Sequence, residues 1–256
     1  MTILAGKTIL IMGVANKRSI GWGVAMRAAQ FGAKLAFTYN SDRAGEQIHK
    51  LLAEEDITAT VVHCNVTDDN SIDAAFAQLG SELGNIDGVV HSIAHANVED
   101  LQGEYVATSR EGYLLAQNIS AYSLVASARA ARTLMQHGGS IVTMSYLGGE
   151  RAVDNYNVMG VAKAALESSV RYLAKDLGKE QIRVNAISAG PIRTLAAKGV
   201  RGFNDVLHAM EEKAPLKRNV DAKEVGDVTA FLLSDLSSGM TGEVLHVDGG
   251  YHIIGL

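Results

Sequence analysis

Apolar runs alternate with amphipathic stretches along the whole chain, and this alternation constrains the fold more than any other feature. Lys7 to Met12, Lys34 to Tyr39, Ala59 to Cys64, Ile86 to His91, Ser140 to Met144, Arg183 to Ile187 and Glu243 to Val247 read as strands. Between them the 3.6-residue period of a helix returns, as at Val24, Ala28 and Phe31, or at Val158, Ala162, Ala165, Leu166, Ser169 and Tyr172. Strand and helix in regular alternation build βαβ units, so the expected class is α/β, a doubly wound parallel sheet of about seven strands with helices on both faces.

With 256 residues, 47% of them hydrophobic, the chain can bury one large core, and a single domain over 1–256 is expected. Only the segment from about 189 to 217 breaks the alternation. It holds both prolines, Pro191 and Pro215, and a weak amphipathic patch at Val200, Phe203, Val206, Leu207 and Met210 that suits a short helix. Ligands of a doubly wound sheet bind beyond the carboxyl ends of its strands, where this segment falls. It reads as a lid over an apolar substrate, with a surface excursion of no function as the other reading.

A net charge of −5 gives no electrostatic case for a nucleic-acid or anionic-membrane partner. Lys17-Arg18 then reads as local anion ligands or as solvated surface. The single cysteine, Cys64, allows no internal disulfide, is expected in the core and suits a reducing compartment. The run Ile9 to Met12 is too short to span a bilayer or direct secretion, so a cytoplasmic location is the default. No metal site is expected: His91 and His95 have i,i+4 spacing, but they flank a strand end, and no third ligand is evident. Helix-borne Glu and Asp read as solvated faces and caps. Neither a carboxylate pair for glycoside chemistry nor a G-x-S-x-G elbow is present.

The chemistry concentrates in residues 145–163, between the end of the fifth strand and a helix whose expected start is Asp154 or Asn155, both good N-caps. Tyr156 and Lys163 are seven residues apart, so on that helix they leave nearly the same face about 10 Å apart. An ammonium favours a neighbouring phenolate, which makes the pair a reasonable proton donor or oxyanion stabiliser. For the pair alone, a half-buried Tyr and a snorkelling Lys is the favoured reading, and context decides. The first strand supplies that context. It is followed by Gly13-Val14-Ala15-Asn16-Lys17-Arg18-Ser19-Ile20-Gly21, a glycine and then small residues opening a helix, which lets backbone N–H groups approach a pyrophosphate.

At these residues the chain resembles the short-chain dehydrogenase/reductase family, and within it the bacterial enoyl-[acyl-carrier-protein] reductases of type II fatty acid synthesis. The matching motifs are Gly13 with Ser19-Ile20, Ser92-Ile93-Ala94, Ser145-Tyr146-Leu147-Gly148, Tyr156-Asn157-Val158-Met159-Gly160 with Lys163, and Arg183 to Thr194. The resemblance implies a Rossmann-type fold, a homotetramer, and a substrate carried by acyl carrier protein. Arg193, Lys198 and Arg201 are candidates for docking that carrier, or solvated charges.

Most of the superfamily keeps a Tyr four residues before the active-site Lys and a Ser thirteen before that Tyr; here those positions hold Met159 and Tyr146. The acidic hydroxyl has moved to Tyr156, about 4.5 Å down the helix. A carbonyl reductase needs its proton on the atom next to the carbon that takes hydride. An enoyl thioester takes hydride at the β carbon while charge develops on a carbonyl oxygen two carbons away, so a displaced donor fits it better.

By resemblance, Tyr156 hydrogen-bonds the developing enolate, Lys163 holds the nicotinamide ribose, and Tyr146 shapes the pocket and helps to orient the enolate. Gly13, Ser19, Ile20, Asn40, Asn65, Val66, Ile93, Ile192, Thr194, Leu195 and Ala196 are expected to contact the cofactor, and Ala96 and Phe203 the substrate. Asn65 stands where the family usually has Asp, keeping an acceptor oxygen for adenine without the charge. His95 stands where this branch often has an apolar aromatic, and either tunes the pocket or points to solvent.

At the end of the second strand, Asn40-Ser41-Asp42-Arg43 is mixed: a neutral Asn40 followed by Asp42 leans to NADH, while Arg43 with Lys17-Arg18 keeps NADPH open. Two rival readings are a carbonyl reductase or hydroxy dehydrogenase of the same superfamily, and a catalytically silent dinucleotide-binding protein.

Overall fold

Seven strands form one sheet: β1 Thr8–Met12, β2 Lys34–Tyr39, β3 Thr60–His63, β4 Gly88–His91, β5 Gly139–Ser145, β6 Ile182–Ala189 and β7 Val244–Val247. Their order is β3-β2-β1-β4-β5-β6-β7, and every neighbouring pair is parallel. The structure is a computed structural model and describes residues 2–194 and 201–255. All seven expected strands are present within two residues of the bounds read from the apolar runs.

Parallel strands need crossovers, and eight α-helices among the described residues accompany them: α1 Ile20–Gln30, α2 Asp42–Glu54, α3 Asp69–Leu83, α4 Arg110–Gln117, α5 Ser123–Ala131, α6 Asn157–Leu177, α7 Phe203–Lys213 and α8 Ala222–Leu233. A π-helical turn, Asn118–Tyr122, joins α4 to α5. Because side chains alternate along a strand, Leu10 and Met12 of β1 pack on α3, α5 and α6, while Ile9 and Ile11 pack on α1, α2 and α8. All four are fully buried, each worth about 1.5–3 kcal/mol against exposure.

Two expectations need correction. α6 does not begin at Asp154 or Asn155. Asn155 adopts a left-handed φ of 59°, and its side-chain amide donates to Arg201 O at 3.1 Å. Helical dihedrals therefore start at Asn157, with Tyr156 as the N-cap residue. Tyr172 lies outside the apolar stripe of α6, at 69% exposure; the stripe runs instead through Val158, Ala162, Leu166, Val170 and Ala174. The short helix expected from the patch in the 189–217 segment is present as α7, seated by buried Leu207 and Met210. Val200 lies outside the described residues.

Candidate active site

The carboxyl ends of the strands open on one cleft of about 810 Å³ that crosses the point between β1 and β4 where the strand order reverses. Gly13, Ser19, Ile20, Asn40, Asn65, Val66, Ile93, Ile192 and Thr194 line it, and so do Ala96, Tyr146, Tyr156, Lys163 and Phe203. Residues from many separate stretches thus share one wall. Leu195, Ala196 and Lys198 lie outside the described residues.

At the switch point Gly13 has φ +93°, and a Cβ on it would lie 2.0 Å from Ser92 O. The glycine is thus required by the approach of the β1 and β4 ends as well as by space for a ligand. Ser19 is the N-cap of α1, yet its hydroxyl accepts from Ala15 N and Asn16 N, 3.1 Å each, and bonds none of the helix N–H groups. α2, α6 and α7, whose starts also border the cleft, likewise lack a side-chain cap. By contrast α4 and α8 carry capping side chains, Ser109 and Asp221. An uncapped helix start at the switch point is the donor set that a pyrophosphate needs, so the residues present fit a dinucleotide.

The adenosine end differs in detail from the sequence reading. Asn65 keeps its acceptor oxygen, but Thr67 N and Thr67 Oγ1 donate to it at 3.1 and 2.9 Å. That oxygen is engaged by its own turn, which leaves the side-chain amide nitrogen and the backbone of Val66 to face a base. Asp42 is the first residue of α2, where its charge complements the helix dipole. Lys17 reaches Glu55 at 3.4 Å and Glu54 at 3.8 Å, an exposed pairing rather than an anion site. Asn40, Arg18 and Arg43 are exposed.

At the other end Tyr146 follows β5 directly, and its ring meets that of Tyr156 edge to face, 4.9 Å between centroids. Lys163 is 5% exposed and donates to Met144 O at 2.6 Å. Burial brings its ammonium down to about 8, with Glu167 pulling it back up. Burial, then Tyr146 and Glu167, pushes the Tyr156 phenol far above its ordinary value. Burial pushes Tyr146 up to about 12. Both phenols are therefore neutral near pH 7, the form that can donate a hydrogen bond or a proton.

The sequence profile of the enoyl-(acyl carrier protein) reductases matches residues 13–252. A Staphylococcus aureus protein named enoyl-[acyl-carrier-protein] reductase [NADPH] FabI is 60% identical over 255 residues, covering 99% of this chain and 100% of that one. The chain belongs to the enoyl-[acyl-carrier-protein] reductase family. Its Bacillus cereus relative, named for NADH, is 57% identical and is covered end to end, as is this chain. The crystal structure of the B. cereus reductase with NADP+ and an indole naphthyridinone superposes with a TM-score of 0.98 over 100% of both chains. Relatives named for NADPH and for NADH thus both stand near this chain.

Within this family member, several residues with a place at the site were not legible as such. Glu167 is 6% exposed, against the expectation that helix-borne carboxylates are solvated, and the Ser145 hydroxyl donates to its Oε1. His91 is buried between Thr143 Oγ1 and Ser123 Oγ, at 2.9 and 2.8 Å, which accounts for both ring nitrogens without a metal. Burial, with Lys163 nearby, brings it down to about 3, so it is neutral. His95 is exposed, and its N–H and C=O are both bonded by Ser120 of the π-helical turn. That turn also sends Ile119 into the cleft, as irregular helix often does at functional sites. No group of three or more His, Cys, Asp or Glu is placed to hold a metal among the described residues.

Proposed function

We propose that the chain reduces the trans-2 double bond of an enoyl thioester borne by acyl carrier protein and releases the saturated acyl thioester in fatty acid elongation. The observation that carries this reading is the half-buried Tyr156 at the N-cap of α6, lining the cleft with Lys163, while Met159 holds the position of a carbonyl reductase's tyrosine.

Bound reduced nicotinamide would supply the hydride. Gly13, Ser19, Ile20, Asn40, Asn65, Val66, Ile93, Ile192 and Thr194 would hold the cofactor, with Lys163 on the nicotinamide ribose hydroxyls. Tyr156 donates its phenolic hydrogen bond to the thioester oxygen as negative charge develops there, and contributes most in the transition state. Tyr146 buttresses that ring and, with Ala96 and Phe203, shapes the space for the acyl group. NADH is assigned first, because Asn40 is neutral and Asp42 acidic; Arg18 and Arg43, both exposed, keep NADPH as the alternative.

The same reading includes a homotetramer, supported by exposed apolar side chains on α4, the π-helical turn and α6, namely Leu114, Tyr122 and Tyr172. Arg193 and Arg201 beside α7 suit an acidic carrier protein. Among the described residues no helix is long and apolar enough to cross a membrane; a cytoplasmic site of action agrees with the unpaired Cys64.

The test is cofactor consumption with a medium-chain trans-2-enoyl thioester, run with NADH and with NADPH against a β-ketoacyl thioester control. Turnover of the enoyl substrate alone is expected. Turnover only of the ketoacyl substrate would return the chain to the carbonyl reductases, and turnover of neither would leave a silent dinucleotide-binding protein.

A further inference from the structure

Lys163 can serve a cofactor site as a cation only if it keeps its proton, yet it is 5% exposed, with Met144 O as its hydrogen-bond acceptor at 2.6 Å. A buried lysine gives up its charge unless a nearby group of opposite sign sustains it. Glu167 lies four residues further along α6, one turn on and on the same face. It too is buried, and the Ser145 hydroxyl donates to its Oε1. Gly149 leaves it that space, since a Cβ there would come within 2.8 Å of Oε1 and 3.1 Å of the Lys163 backbone. Met144 and Ser145 are consecutive at the end of β5, so the strand end that leads into Tyr146 takes Lys163 on one residue and Glu167 on the next. Each group has its own hydrogen-bond partner, and Glu167 acts on Lys163 through space.

We propose that Glu167 is a positioning residue whose carboxylate keeps Lys163 an ammonium in the buried cofactor site. The proposal rests on the reading that Lys163 holds the nicotinamide ribose, and it adds the group that makes this possible.

The other groups around the pair do not fill this role. His91 on β4 is neutral, and Tyr156, at the start of α6, and Tyr146, after β5, are neutral phenols. Arg171 on α6 and His246 on β7 draw the Glu167 carboxyl down, and Glu150 pushes it up. Burial raises Glu167 above its ordinary value, with the Ser145 hydrogen bond opposing. Glu167 is the group that raises Lys163 against its burial.

Glu167→Gln keeps the shape and can still accept from Ser145, so it removes the charge alone. The full-length chain, labelled with 13C at lysine Cε and assigned through Lys163→Met, reports the Lys163 titration midpoint directly by NMR. In Glu167→Gln the midpoint is expected to fall by about one pH unit or more. In Glu167→Asp, which keeps a charge on a shorter arm, it should stay nearer the parent value. An unmoved midpoint in folded Glu167→Gln, or equal falls in both variants, would overturn the proposal and leave Glu167 a packing residue. NADH dissociation constants measured across the same pH range test the underlying reading separately. If affinity ignores the Lys163 titration, the ribose role fails, while a shifted midpoint still upholds the effect of Glu167.

Discussion

Tyr146 and Tyr156 meet with ring planes 67° apart, and Gly148 is packed against both: a Cβ on it would lie 2.4 Å from Tyr156 Cδ1 and 3.3 Å from Tyr146 Cδ1. Edge-to-face contact of this kind is worth about 0.5–1.5 kcal/mol beyond area burial. The pair therefore holds one geometry because the turn between β5 and α6 has no side chain at Gly148.

Gly148→Ala should displace the Tyr156 ring while leaving the cofactor residues in place. We expect enoyl thioester turnover to fall about 10- to 100-fold, as misplacement near 1 Å does, with NADH affinity unchanged. Steady-state kinetics beside a fluorescence titration of NADH checks this. Equal turnover would mean that the ring position is not critical.

Tyr156→Phe removes the hydroxyl and little else. Turnover should drop by about 10²- to 10³-fold, the usual cost of one oxyanion donor, with cofactor binding unaltered. Tyr146→Phe should lose less. Weakened NADH binding in Tyr156→Phe, with turnover spared, would assign the phenol to the cofactor instead.

His91 is neutral in the fold, brought from 6.5 to about 3 by burial and by Lys163. The unfolded chain takes up that proton first, so stability contributed by His91 is full above about pH 6.5 and is lost as pH falls toward 3. Urea unfolding at pH 7 and below should show this acid limb. In His91→Asn the limb should flatten, while stability at pH 7 falls by about 0.5–1.5 kcal/mol, the worth of one hydrogen bond, since Ser123 Oγ and Thr143 Oγ1 keep their carbonyl acceptors, Ile119 O and His91 O. An unchanged limb would place the acid sensitivity elsewhere.

Gly13→Ala meets both a left-handed φ and the carbonyl of Ser92. We expect a loss of at least about 2 kcal/mol, together with loss of NADH binding. Thermal unfolding with and without NADH reads both, and a stable variant that still binds would show that the β1 and β4 ends can part.

The sheet and its two cores were legible because the apolar runs and helical stripes carry their periods openly; Ile9 and Leu10 fall on opposite faces as alternation requires. Most proposed site residues were legible because they occupy strand ends that this topology gathers. The start of α6 was not, since Asn155 reads as an N-cap and the left-handed turn it adopts depends on Arg201, far along the chain. Glu167 was missed because a lone carboxylate on a helix is usually solvated. A signal for it exists, since Lys163 and Glu167 each follow a residue of the buried stripe, Ala162 and Leu166. Asn65 was half read: the acceptor is there, but Thr67 occupies it.

The order β3-β2-β1-β4-β5-β6-β7 also bears on how the chain is made. β1 emerges from the ribosome early, yet its partner β4 begins only at Gly88, and no pair in the sheet can close by a local hairpin. During synthesis Ile9, Leu10 and Ile11, all fully buried in the finished fold, wait with one edge unpaired. Slow translation ahead of β4 should therefore lengthen the time this edge is open to aggregation or to a chaperone, so yield in the cell depends on elongation rate as well as on final stability.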